Sequence, residues 1–422
     1  MNPSLHVLPN GVRVVCDPTP ELQTLAATVV AGHGARSEPQ DRSGWAHLLE
    51  HMVFKGAGSR SAMDIVETIE AQGGSINAAT GYERTSFQVR ALKGGLRLAL
   101  EVMGDLVLRP MLDPAELERE KGVIAQEIAE AADDPDDLVF ELAQAAAYPG
   151  QSIGRPILGT VKSLAGARRD TLDAWRAGLY AAPALVVSVS GAVDEDDLLK
   201  AVEDVFGAAG GAPLPEAAPA RFVGGRKGRA RALEQSHLVF LLPAVGAADD
   251  DYYVQRVFAE ALGGGMASRL FQEAREKRGL AYSIDAYSDN YAETGLLGIY
   301  AGCAAHDAED LARVCAEQVR DLADHMQPDE LARAKAQLKA HMFMSLESPL
   351  ARAEGIAGQV HLFGRPLSPA EMAQGIDAVS AADVARFRDR MLGPGTCAVS
   401  VLGPKRALGA GEAFRQALFA GG

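Results

Sequence analysis

Gly207-Ala208-Ala209-Gly210-Gly211-Ala212-Pro213-Leu214-Pro215-Glu216-Ala217-Ala218-Pro219-Ala220 stands near the middle of a 422-residue chain and runs into a basic stretch from Arg221 to Arg231. Small side chains and prolines give a core little to bury, so residues 207–232 read as a linker. The flanks, 1–206 and 233–422, are each of ordinary domain size. A chain of this length exceeds what one hydrophobic core supports, and two domains are the expectation.

The flanks share an order of elements. In the first, His6-Val7-Leu8, Pro9-Asn10-Gly11 and Val12 to Cys16 spell a hairpin, with Asn-Gly suited to the tight turn. Periodicity then predicts a strand at 25–31, helices at 44–54 and 62–72, strands at 75–79 and 84–91, and helices at 96–106, 114–131 and 136–147. An apolar strand at 185–190 and a helix at 195–206 close this half. The second half reads as a strand at 237–242, helices at 250–262 and 267–277, and strands at 281–287 and 295–302. Helices at 307–323 and 328–345, a strand at 397–402 and a short helix complete it. Grouped strands with returning turns predict an α+β fold: two homologous domains, each a mainly antiparallel sheet covered by helices.

Composition narrows the function. Apolar residues make up 48% and charged residues 23% of the chain, as in globular proteins. The net charge of −15 repels phosphate backbones and anionic lipid, which argues against nucleic-acid and membrane-surface roles. No run of about 20 apolar residues is present to span a bilayer. The opening residues lack the basic and apolar regions of a signal peptide, so a cytoplasmic protein is expected. Cys16, Cys303, Cys315 and Cys397 are too scattered for a zinc ribbon or a disulfide framework.

The chemistry concentrates in Gly44-Trp45-Ala46-His47-Leu48-Leu49-Glu50-His51-Met52-Val53-Phe54. Histidines four apart on a helix share one face, so both imidazoles can reach one ion. Two neutral imidazoles suit Zn²⁺, which takes about four ligands and keeps one position open in catalytic sites. Glu50 projects beside them as a carboxylate able to take a proton from water. The order His-x-x-Glu-His is the inverzincin signature. A third ligand is needed, and the predicted helix through Leu117 to Ile128 offers Glu120 and Glu127, two turns apart on one face. Spacing alone does not choose between them, nor separate a ligand from a solvated acidic face.

These residues resemble the pitrilysin family of metallopeptidases, the family of insulin-degrading enzyme and mitochondrial processing peptidase. The resemblance rests on His47-Leu48-Leu49-Glu50-His51 and on Gln126-Glu127-Ile128 farther along at the family spacing. It continues through Gly73-Gly74-Ser75-Ile76-Asn77-Ala78-Ala79-Thr80, Gly154-Arg155-Pro156-Ile157-Leu158-Gly159, the segment Leu262 to Leu270, and Arg275-Glu276-Lys277-Arg278-Gly279-Leu280-Ala281-Tyr282.

The resemblance implies that His47, His51 and Glu127 bind one Zn²⁺ per chain, with Glu50 as general base and Glu120 orienting a ligand. It implies that Asn77 and Ala78 lie on an edge strand that pairs with substrate, and that Arg275 and Tyr282 hold the substrate carbonyl. The second half has no His-x-x-Glu-His counterpart, since Tyr252-Tyr253-Val254-Gln255-Arg256-Val257-Phe258 carries no ligand. The implied protein is a zinc endopeptidase for peptides or unfolded, presequence-like segments, working as a homodimer or with a metal-free paralogue in a heterodimer. The competing expectation is a non-catalytic scaffold or core-type subunit of the same fold.

Overall fold

The computed structural model describes residues 3–420. They form two compact units. One gathers the chain up to Ala129, Pro156–Ala218 and Phe343–Ser368; the other gathers Glu130–Arg155, Pro219–Met342 and the chain from Pro369 onward. These units differ from the contiguous stretches 1–206 and 233–422, because each half of the chain contributes one helical segment to the other unit.

The first unit is built on β1 (Ser4–Val7), β2 (Arg13–Pro18), β3 (Thr24–Ala31), β6 (Ser75–Thr80), β7 (Thr85–Leu92) and β8 (Leu185–Gly191), in the order β1-β2-β8-β3-β7-β6. Only β2 and β8 run parallel. A small hairpin, β4 (Gly56–Ala57) with β5 (Arg60–Ser61), stands apart from this sheet. Strand residues alternate between the two faces. Ala27, Val29, Phe87, Val89, Val187 and Val189 turn inward to a core shared with α1 (Trp45–Val53), α3 (Leu96–Leu108), α7 (Arg169–Leu179) and α8 (Glu195–Phe206). The shorter α2 (Ala62–Glu70) and α6 (Val161–Ala165) and the long α4 (Pro114–Asp133) complete that side.

Val15, Val30 and Val186 turn the other way, onto Ile356, Ala357 and Val360 of α12 (Pro349–Phe363). This helix comes from the C-terminal half. Polar bonds seat it: Arg352 donates to the fully buried Asp17, and Arg13 donates to the Val360 carbonyl.

The second unit has β9 (Gly225–Ala230), β10 (Ser236–Val245), β11 (Ser283–Asn290), β12 (Thr294–Cys303) and β13 (Ala398–Gly403), in the order β11-β12-β10-β13-β9. Only β13 and β9 are parallel. Read from β9, the order repeats that of β2-β8-β3-β7-β6, parallel pair included. The units are two copies of one antiparallel-dominated α+β fold.

Helices α9 (Tyr252–Gly263), α10 (Ala308–His325), α11 (Pro328–Ser345), α14 (Ala381–Leu392) and α15 (Ala410–Leu418) build the core of the second unit, and α13 (Pro369–Ala378) packs beside α9. Phe240 stacks on Phe414 there, with ring centroids 4.1 Å apart. The outer face takes α5 (Pro135–Ala147) from the N-terminal half. Phe140 of α5 stacks on Tyr300 at 5.5 Å, and Asp136 accepts from the Tyr300 hydroxyl at 2.7 Å.

The expected linker at 207–232 is therefore shorter. Its basic end is β9, the first strand of the second repeat. Gly-Arg-Lys-Gly-Arg-Ala shows no apolar alternation because every residue of this edge strand is exposed; backbone bonds to β13 hold it, and charged side chains suit a sheet edge. No helix among the described residues is long and apolar enough to cross a membrane.

Candidate metal centre

Helix α1 is held at its N-cap, Gly44. Gly44 adopts φ 89°, and a Cβ there would fall 2.5 Å from the Leu158 carbonyl oxygen. Gly159, at φ 71°, closes against it: a Cβ on Gly159 would lie 2.2 Å from the Ser43 carbonyl oxygen. The last glycine of the Gly154–Gly159 motif thus lets two backbones touch. Ser163 Oγ donates to the Ser43 carbonyl at 2.7 Å. Buried Glu38 accepts the N–H groups of Gly44 at 2.8 Å and Ala46 at 2.7 Å. A carboxylate there satisfies orphan donors and complements the helix dipole.

Leu48, Leu49, Met52 and Val53 of α1 are fully buried, which fixes the rotation of the helix. His47, Glu50 and His51 are left on the partly open face. The imidazoles lie with ring centroids 4.6 Å apart. Opposite them α4 buries Leu117, Glu120 and Ile124 and presents Glu127. Glu127 Oε2 is 4.0 Å from His47 Nε2 and 3.7 Å from His51 Nε2. One donor atom from each of these three residues falls within 4.8 Å of the others.

The donor set fits Zn²⁺. Bonds of about 2.0–2.1 Å in a tetrahedral site place donors roughly 3.4 Å apart, so the observed spacings need only modest side-chain closure. The protonation states agree. Burial and the neighbouring His51 push His47 down to about 4, which keeps its ring neutral at neutral pH. His51 Nδ1 faces Glu120 Oε2 at 3.0 Å, so the proton belongs on Nδ1 and Nε2 keeps its lone pair.

Glu120 is itself buried and bridges to Lys55 Nζ at 2.8 Å. Burial raises the pKa of its carboxyl, but the bonds from Lys55 and His51 outweigh that and hold it low. Glu50 is pushed up by burial and pulled back by Thr80, whose Oγ1 donates to Glu50 Oε2 at 2.5 Å.

The structure thus brings His47, Glu50, His51, Glu120 and Glu127 together. It adds Thr80, Lys55 and Glu38, which the sequence reading did not assign. Lys55 stands four residues after His51, a spacing that marks a neighbour; Thr80 and Glu38 carry no local signal. Asn77 and Ala78 lie on β6, at the edge of its sheet, with Asn77 exposed and Ala78 partly buried. Arg275 and Tyr282 belong to the second unit. Arg275 is exposed on a π-helical turn, Phe271–Glu276, with its guanidinium carbon 4.8 Å from the Phe271 ring centroid. Tyr282 is 62% exposed just before β11.

Residues 13–161 match the family described as Insulinase (Peptidase family M16), and residues 167–338 match the one described as Peptidase M16 inactive domain. An "uncharacterized zinc protease" of Streptomyces coelicolor is 34% identical over 407 residues, covering 94% of this chain and 88% of its own. The chain belongs to peptidase family M16. The fold agrees: a Helicobacter pylori protease has a TM-score of 0.87 at 19% identity, with 96% of this M16 chain and 100% of that one aligned. A chain of the Candida albicans complex III2 structure has a TM-score of 0.85 at 22% identity, over 98% and 99% of the two chains. Among the described residues, His47, His51 and Glu127 form the one cluster arranged to hold a metal.

Proposed function

We propose that this M16 chain is a zinc-dependent endopeptidase that cleaves peptides or unfolded, presequence-like segments, with His47, His51 and Glu127 as zinc ligands and Glu50 as general base. The observation that carries the reading is the convergence of two imidazoles and a carboxylate from α1 and α4, with Glu50 on the same helix face. Zinc in that position supplies Lewis acidity toward a carbonyl and toward water. Thr80 engages Oε2 of Glu50, which leaves Oε1 to take the proton of the attacking water and return it to the leaving amide nitrogen. Glu120 holds the ring of His51. The open edge of β6 at Asn77 and Ala78 offers backbone groups to an extended substrate, a mode tolerant of sequence.

Arg275 and Tyr282 complete the reading as donors to the substrate carbonyl, supplied by a second chain in a homodimer. A guanidinium and a phenol both stabilise developing negative charge, and both residues are solvent-accessible. Mixing Glu50→Gln chains with Tyr282→Phe chains tests the sharing, because restored cleavage requires the two groups to act across chains. Absence of restoration counts against it, and a need for a different, metal-free chain points to the heterodimer.

The complete ligand set favours an enzyme over a non-catalytic scaffold. The deciding experiment is cleavage of a quenched peptide, with and without a metal chelator, beside zinc analysis of Glu50→Gln. Chelator-sensitive cleavage and a zinc-loaded, inactive variant are expected. A chain with no zinc, or one that binds zinc and cleaves nothing, overturns the proposal.

A further inference from the structure

Thr80 is the last residue of β6 and the residue that touches Glu50. Its hydroxyl donates to the carboxylate. One short segment fixes both partners. Ala35 N–H donates to the Gly81 carbonyl at 3.0 Å and Arg36 N–H to the Tyr82 carbonyl at 2.7 Å, gripping the turn that follows Thr80. The buried Arg36 side chain pairs with Glu83 of that turn. Two residues later Glu38 caps α1 at Gly44 and Ala46. Residues 34–38 therefore brace the end of the edge strand against the start of the helix that carries Glu50.

Among the described residues no strand pairs with the other side of β6, and β7 is its one ladder neighbour. A substrate strand laid on that edge would order β6 along its length, up to the residue that holds the carboxylate. We propose that Thr80 is a positioning residue that ties the alignment of Glu50 to the docking of substrate backbone on β6. The inference rests on Glu50 being the general base. Without the Thr80 hydroxyl the carboxylate turns more freely about its last torsion and is aligned less often, a loss that falls on turnover rather than on binding.

The test uses the full zinc-loaded chain with Thr80→Val, which keeps the β-branched shape, and Thr80→Ser, which keeps the hydroxyl. Thr80→Val is expected to lose about tenfold or more in kcat, with KM within about twofold of the parent and zinc content unchanged. Thr80→Ser should recover most of the loss. Lengthening a peptide so that it covers β6 should raise kcat in the parent and in Thr80→Ser but change only KM in Thr80→Val. Thermal midpoints monitor folding, and Thr80→Ala replaces Thr80→Val should the latter not fold.

Parent-like kcat in the variant lacking the hydroxyl, a loss confined to KM, or Thr80→Ser no better than Thr80→Val overturns the proposal. Glu50→Gln separates the two levels. If it stays active, the base assignment falls and this inference with it. If it is inactive while Thr80→Val turns over like the parent, only the role of Thr80 falls.

Discussion

Arg352 on α12 grips Asp17 on β2 with two hydrogen bonds, 2.6 Å from Nε and 2.5 Å from Nη2. The carboxylate is fully buried, and the guanidinium is mostly so. Removing one member of such a pair strands a charge away from water, which costs about 3–5 kcal/mol. Arg352→Leu should lower the urea midpoint accordingly. A variant unfolding within about 1 kcal/mol of the parent would show that Asp17 is compensated elsewhere.

The helix that Arg352 anchors comes from the far half of the chain, and α5 makes the reciprocal crossing. A chain cut between residues 207 and 224 leaves each half without the helix that covers the outer face of its own sheet. In the N-terminal half Val15, Val30 and Val186 would meet water, an exposed apolar strip of the kind that aggregates. Each half produced alone should fail to melt cooperatively, while the two produced together should form a folded, metal-binding complex. Cooperative melting of either half by itself would contradict the exchange.

His361, also on α12, sets a pH limit. Its Nδ1 accepts from Arg13 Nη2 at 2.9 Å and its Nε2 donates to the Val30 carbonyl at 3.2 Å, so the neutral ring uses both nitrogens and a second proton would face Arg13. Burial first, then Arg13, lowers its pKa to about 4. In the unfolded chain a histidine titrates near 6.5. The folded state therefore binds fewer protons in this window. The stability is fully present above about pH 6.5 and is lost as pH falls through about 4, a total of up to about 3 kcal/mol. Urea midpoints between pH 7 and pH 4 should fall more steeply in the parent than in His361→Gln; parallel profiles would assign the acid loss to other groups.

The sequence made the candidate metal helix legible because the spacing of the two histidines and the helical period coincide: His47 and His51 share a face that the apolar Leu48, Leu49 and Met52 leave open. The long helices α4, α10 and α11 were legible through periodicity and the first hairpin through its Asn-Gly turn, whereas α12 and α14 fall in the stretch 346–396, for which no element was expected. The exchange of α5 and α12 was not legible. Leu138, Val139 and Ala143 define an apolar face, but periodicity does not say which sheet the face will meet. Nor was β9 legible, since an edge strand with every residue exposed leaves no apolar alternation. The choice of Glu127 over Glu120 as ligand came from family resemblance. In the structure both acids reach the histidines, and what separates them is which imidazole nitrogen each one faces.

That difference in aim can be measured. Glu127 faces Nε2 of both histidines, whereas Glu120 takes Nδ1 of His51 and is held in turn by Lys55. A carboxylate in the second position fixes the tautomer and strengthens the ring as a donor, and its loss typically weakens metal binding about 10–100-fold. Glu120→Gln should show a loss of that size in competition against a chelator of known affinity, with a folded chain throughout. Glu127→Gln removes a donor outright and should lose more zinc than Glu120→Gln under the same conditions. Lys55→Met leaves the Glu120–His51 bond in place, so its effect should be the smallest of the three. If Glu120→Gln binds zinc as the parent does, the bond to His51 does not support the metal; if it loses more than Glu127→Gln, the two acids have exchanged roles.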